Sequence, residues 1–153
     1  MRDICCIGHI TLDRIITPSA SFHQNGGTAY YFAYGLNHLP HDVSFQIVTS
    51  IATKDFSTIE QMKSVGIDVH CFQSKDTVYF ENTYGANANK RTQRLLAKSD
   101  PFTAVQMQSV EDAQVYHLGT LLSDDFSVDA IEVLAQKGRI SIDVQGFLRD
   151  VQG

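Results

Sequence analysis

The sequence predicts an α/β protein: a doubly wound, mostly parallel sheet with helices on both faces, joined by a small antiparallel β insertion. Three observations carry this expectation. Short runs of apolar and β-branched residues alternate with segments whose apolar residues recur at helical spacing, the order that parallel βαβ units produce. The strand-like runs Ile4–Ile7 and Ala113–Leu118 each end at a glycine, Gly8 and Gly119. From Ile67 to Ala97 the alternation lapses into strand-favouring residues alone, which marks an inserted sheet.

Ile4-Cys5-Cys6-Ile7 is uniformly apolar, as a strand buried on both faces must be. After Gly26-Gly27, the spacing of Ala29, Phe32, Ala33 and Leu36 describes one face of a helix, with Pro40 just beyond its end. Val43–Ile51 reads as the next strand, and Phe56, Ile59, Met62 and Val65 as a helix stopped by Gly66. In the insertion, Val69 and Val78–Tyr84 favour strands, the polar loop Gly85–Lys90 interrupts them, and Arg91–Ala97 is extended again. Thr103 and Gln106 have the spacing of a capping box. Ala113–Leu118 then resumes the sheet, Phe126, Ala130, Val133 and Leu134 form a helix ending at Gly138, and Ile140–Asp143 is a strand with a carboxylate at its C-terminal end. The polar stretch 144–153 is too short for a return helix, so residues 1–153 are expected to be part of a larger α/β domain.

Apolar residues make up 43% and charged residues 19% of the chain, which fits a globular core and excludes a disordered one. Twelve Lys and Arg against seventeen Asp and Glu leave a net charge of −5, and no basic cluster offers counterion release to a nucleic acid. No apolar run approaches the roughly 20 residues of a membrane span, and Met1-Arg2-Asp3 leads straight into a strand without a signal-peptide core. The expected location is cytoplasmic, with no membrane partner. Cys5, Cys6 and Cys71 are an odd set without disulfide spacing and are expected as free thiols. Only His38 and His41 approach metal-ligand spacing, and no metal site is expected.

Open α/β sheets bind ligands outside the carboxyl ends of their strands. The residues there are Gly8–Asp13, Thr49–Asp55, His117–Thr120 and Asp143-Val144-Gln145. A carboxylate such as Asp13 accepts hydrogen bonds from adjacent hydroxyls, and the Gly26-Gly27 backbone lets a ligand approach without a side chain in the way. Taken alone, a glycine pair reads first as a turn and helix cap. Asp124 and Asp125 are expected to complement the dipole of the following helix, and His9 and His117 to be hydrogen-bonded structural residues. The sequence has no Walker-type lysine loop, no dinucleotide glycine fingerprint and no nucleophile elbow.

The ordered set of strand, Gly8, Asp13 and Gly26-Gly27-Thr28-Ala29 at a helix start resembles the opening of the ribokinase-like (PfkB family) carbohydrate kinases, and the likeness spans most of the chain. It implies a ribokinase-like fold and, for the parent enzyme, ATP- and Mg2+-dependent phosphorylation of a hydroxyl on a sugar, polyol or nucleoside. This chain would be the N-terminal half that supplies the acceptor pocket and lid, with lid segments at about 13–22 and 69–97. The substrate-binding residues implied are Asp13, Gly26, Gly27, Thr28, Asn82, Gly119 and Asp143, with Arg91 and Arg94 as further lid candidates. Tyr31 stands where the family often has Asn, Gln145 replaces the Asn of an Asp-x-Asn motif, and Arg149 lies later than the usual arginine. The opening looks closer to the branch with inositol-kinase-like members. The family's Gly-Ala-Gly-Asp motif, which carries the general base at a helix N-terminus, does not occur here, so no catalytic residue is expected in this chain and it is expected to be inactive alone. A homodimer through the lid, or a purely non-catalytic binding or dimerisation module, is the alternative.

Overall fold

The computed structural model describes residues 1–40 and 42–152; His41, half of the histidine pair considered above, lies outside them. The larger sheet comprises β1 (Arg2–Ile7), β4 (Phe45–Ala52), β5 (Val69–Ser74), β8 (Ala113–Gly119) and β9 (Arg139–Asp143), all parallel, in the order β5-β4-β1-β8-β9. The smaller comprises β2 (Thr11–Ile16), β3 (Ser21–Gly26), β6 (Val78–Tyr84) and β7 (Arg91–Ala97), in the order β3-β2-β6-β7.

Because successive side chains on a strand point to opposite faces, the apolar runs feed two cores. Cys5, Ile7, Val48, Tyr116 and Leu118 enter one, covered by α3 (Ala104–Ser109) and α4 (Val128–Lys137) through Met107, Ala130 and Leu134. Cys6, Ile47, Ile51 and Val69 enter the other, covered by α1 (Thr28–His38) and α2 (Ser57–Ser64) through Ala29, Ala33, Ile59 and Met62. Met62 and Leu134 are wholly buried, and each contributes about 1.5–3 kcal/mol by leaving water. Both ends of α3 follow from its sequence: Thr103 and Gln106 form the capping box reciprocally, and Val110 closes the helix in an extended conformation. Gly66, with φ of +89°, ends α2 as expected.

The structure changes three expectations. Val69–Ser74 is not lid but the edge strand of the large sheet, paired in parallel with β4. The glycine stop at Gly66 followed by Ile67 and Val69 is the same helix-to-strand signal that introduces the other core strands. Lid strand β3 instead extends to Gly26, and the lid is mixed: β2–β3 and β6–β7 are antiparallel hairpins joined by a parallel β2–β6 pairing. Asp125 does not face a helix dipole; it is buried, and its Oδ2 accepts from the Leu121 and Leu122 amides, while Asp124 pairs with Lys98.

Four short connections tie the lid to the rest of the fold: residues 8–10 to β1, 75–77 to β5, Gly27 to α1 and 98–103 to α3. Two of them are pinned by side-chain hydrogen bonds. Ala52 N donates to Thr77 Oγ1 (3.0 Å), whose hydroxyl donates to Asp55 Oδ2 (2.6 Å). Ser99 Oγ donates to the Asp76 carbonyl (2.8 Å), and Asp100 Oδ2 accepts from Ser74 Oγ and the Lys75 amide.

Candidate functional site

The chain winds from β1 to β4 and β5, then returns past β1 to β8 and β9, so the order reverses beside β1. A cavity of about 300 Å³ opens there, at the point where doubly wound sheets bind ligands. Its roof is the inner face of the lid. The period of two places Thr11, Asp13 and Ile15 of β2 on that face, with Gln24 across from Asp13, and Asn82 of β6 beside Ile15. Its floor is the start of α1 at Gly27-Thr28, Leu121 after β8, and Gln145 and Arg149 after β9.

Asp13 is central. Its Oδ1 is buried and has no hydrogen-bond partner. Desolvation pushes its carboxyl above the ordinary aspartate range, and the Thr11 hydroxyl and the guanidiniums of Arg149 and Arg91 pull it part of the way back. Gly26 makes room for this group: a Cβ there would lie 2.6 Å from Asp13 Oδ2 and 2.9 Å from Thr11 Oγ1. Gly27 is required for a different reason. Its φ of 96° favours glycine, and a Cβ would stand 2.4 Å from the His9 carbonyl oxygen. The first turn of α1 therefore sits directly on the end of β1 and has no side-chain cap.

Behind the floor, Thr28 Oγ1 donates to Asp143 Oδ2 (2.9 Å) and accepts from Gln145 Nε2 (2.8 Å), which also donates to Asp143 Oδ2 (2.8 Å). The Gln145 amide N–H donates to Asp143 Oδ1 (3.0 Å). Asp143 is thus an orienting group whose oxygens are already engaged. In the roof, Asn82 is buried and its Oδ1 accepts from Gln93 Nε2 (2.8 Å), which leaves its own N–H donors for the cavity. The ring of side chains presents an acceptor at Asp13 and donors at Asn82 and Arg149.

Of the seven binding residues expected, Asp13, Gly27, Thr28 and Asn82 line the cavity. Gly26, Gly119 and Asp143 stand behind it; Gly119 permits the close contact of β8 with α1, since a Cβ there would meet Thr28 Cβ at 2.9 Å. Arg91 lines the cavity, whereas Arg94 lies with Arg14 against Glu81 (both 3.3 Å) on the other face of the lid. Sequence reasoning missed Gln24, Gln93, Tyr84 and Leu121 as lining residues, noted Tyr31 and Arg149 only as departures from a motif, and named Gln145 both among the strand-end residues and as such a departure. The alternation of β3 and β7 carried the signal for Gln24 and Gln93 once Gly26 and Arg91 were placed. His9 and His117 do not line the cavity: His9 stacks on Phe102 (4.5 Å between centroids), and His117 Nδ1 lies 3.0 Å from Ser141 Oγ. Among the described residues no helix is long and apolar enough to cross a membrane, and no group of three or more His, Cys, Asp or Glu is gathered that would hold a metal ion.

No protein-family model and no curated protein matches the chain. Solved structures do. It is similar to a pyrophosphate-dependent kinase in the ribokinase family complexed with a pyrophosphate analog and myo-inositol, at 28% identity and a TM-score of 0.82, over 95% of this chain and 50% of that one. A sulfate complex of a pyrophosphate-dependent kinase in the same family matches at 27% identity and 0.79, over 94% and 51%. A Burkholderia thailandensis nucleoside kinase in complex with inosine shares the fold at 19% identity and 0.71, over 96% and 55%. With its doubly wound sheet, mixed lid and switch-point cavity, the chain has a ribokinase-like fold, is similar to kinases of the ribokinase family and spans about half the length of those it matches.

Proposed function

We propose that this chain is the acceptor-binding half of a small-molecule kinase whose acceptor is a polyhydroxylated, uncharged molecule, a cyclitol ahead of a sugar or nucleoside. The observation that carries this is Asp13: a carboxylate with an unpartnered buried oxygen, set among polar lid residues in a cavity of about 300 Å³. A buried acceptor left without a donor is costly, and a substrate hydroxyl supplies the missing hydrogen bond. Asn82, Gln24 and Gln93 offer further partners around the same cavity, which suits a ring bearing hydroxyls on several sides. The myo-inositol bound by one structural neighbour supports the cyclitol reading.

In the transfer itself, the acceptor oxygen bonds to the terminal phosphorus of the donor. The bridging P–O bond breaks, its electron pair leaves with the departing phosphate, and the hydroxyl proton passes to a base. By resemblance that base, ATP and Mg2+ belong to the remainder of a full-length enzyme, and we assign no residue of this chain to the metal. Two neighbours use pyrophosphate, so pyrophosphate stands beside ATP as the donor to be tried. The two unpaired lid edges, β3 and β7, support lid-mediated dimerisation as a second role.

The test is a polyol and nucleoside panel assayed with the full-length enzyme and either donor. Asp13→Ala is expected to lower kcat/KM for the preferred acceptor by about 10- to 150-fold, the worth of a hydrogen bond to a charged group. Unchanged kinetics in that variant refutes the assignment.

A further inference from the structure

Arg149 and Arg91 line the same cavity as Asp13, yet neither guanidinium has a carboxylate within ion-pair distance among the described residues, whereas Arg2, Arg14 and Arg94 each do. Arg149 is held in place by neutral groups. It donates to the Leu121 carbonyl (2.9 Å) and to Gln145 Oε1 (3.3 Å), and its guanidinium lies 5.2 Å from the centre of the Phe80 ring. These contacts fix the direction of the side chain, use two of its five N–H donors and neutralise none of its charge. Burial, with the nearby Arg91 adding to it, depresses the basicity of Arg149. Asp125, Asp13 and Asp143 act on Arg149 only from beyond ion-pair distance, so two guanidiniums without a paired carboxylate face one cavity and offer donors to an anion, and a planar guanidinium fixed by its neighbours matches phosphate oxygens well. Arg149 also lines the adjoining groove with Gln93 and Leu122, so a group attached to the ligand has room on that side.

The geometry points to a phosphate subsite at the Arg91–Arg149 end of the cavity, which takes the phosphate ester of the acceptor, so that the chain holds the phosphorylated polyol more tightly than the polyol. This rests on the acceptor-pocket reading above. The polyol end is held at Asp13 and the ester at the arginines, which makes product release a step that this half of the enzyme resists.

Titration calorimetry of the 153-residue chain with myo-inositol, a myo-inositol monophosphate and inorganic phosphate tests both readings separately. The monophosphate is expected to bind about tenfold or more tighter than myo-inositol, the worth of a charge-assisted contact. That ratio should shrink at high salt, fall towards one in Arg149→Gln, fall in part in Arg91→Gln, and survive largely in Arg149→Lys. A wild-type chain that binds neither polyol nor ester overturns the acceptor pocket and the subsite together. Binding of myo-inositol with no gain from the phosphate overturns the subsite alone, as does inorganic phosphate binding as tightly as the ester. A ratio unchanged in both glutamine variants also overturns it, by reducing Arg149 to a structural tie. Should Arg149→Gln unfold, Arg91→Gln decides the matter, because Arg91 is exposed and its side chain bonds, among the described residues, to the Tyr84 hydroxyl alone.

Discussion

Replacing Gly27 by alanine tests whether the close seating of α1 on β1 is a condition of the fold. At φ 96° and ψ 152° the backbone occupies a region that L-residues avoid, which costs about 1–3 kcal/mol. The added Cβ would also stand 2.4 Å from the His9 carbonyl oxygen, a backbone atom in the short connection between β1 and β2. Forced overpacking adds about 1–3 kcal/mol. The sum, about 2–6 kcal/mol, is a large part of the 5–15 kcal/mol typical of a domain. Urea unfolding should show the midpoint falling by about 1 M or more with the slope unchanged. Gly35 is the internal control: it lies in the same helix, and a methyl group added there would meet nothing within 4 Å, so Gly35→Ala should stabilise by about 0.5–1 kcal/mol. If Gly27→Ala loses under about 0.5 kcal/mol, well below the strain expected at such a φ, the seating argument is wrong.

Asp13→Asn should separate stability from function. A carboxyl raised by burial holds its proton more firmly in the folded state than in the unfolded one, so its contribution to stability is present at low pH and lost as pH rises through the folded value. The variant escapes that loss. It should melt higher than the original at pH 7, with the advantage fading as pH falls below about 4, and a melting difference that stays constant across that range counts against the assignment. Phe102 is wholly buried between His9 and Phe126, with ring centroids 4.5 and 4.9 Å away. Phe102→Ala should cost about 3–5 kcal/mol by chemical denaturation, and a cost below about 1 kcal/mol would show that the core collapses around the gap.

Most of the large sheet was legible because β1, β4 and β8 are short apolar runs bounded by a glycine or polar break, and Ile4–Ile7 feeds both cores as its composition implies. Asp13 and the glycine pair were legible because their order along the chain reflects their placement at strand and helix ends. The lid was harder. Its strands are half polar on both faces, so periodicity cannot say which face is inward until Asp13 is paired with Gln24 and Asn82 with Gln93. Val69–Ser74 was misplaced because an exposed edge strand carries the same mixed pattern as a lid strand. Arg149 was undervalued for a related reason: its importance comes from what it lacks, a carboxylate partner, and a missing contact leaves no mark in a sequence.

The four short connections at the base of the lid, two of them pinned by side-chain hydrogen bonds, bear on how a ligand enters. A flap on one hinge opens like a door, but a sheet fastened along its base by four tethers of one to six residues cannot swing. Its base is immobilised by the Thr77–Asp55 and Ser74–Asp100 bonds, and the freedom that remains is at the far tips, the turn at 17–20 and the loop at 85–90. Admission to the cavity is then a matter of those fingertips curling away while the knuckles stay still, so that Asp13, close to the base, keeps its aim throughout.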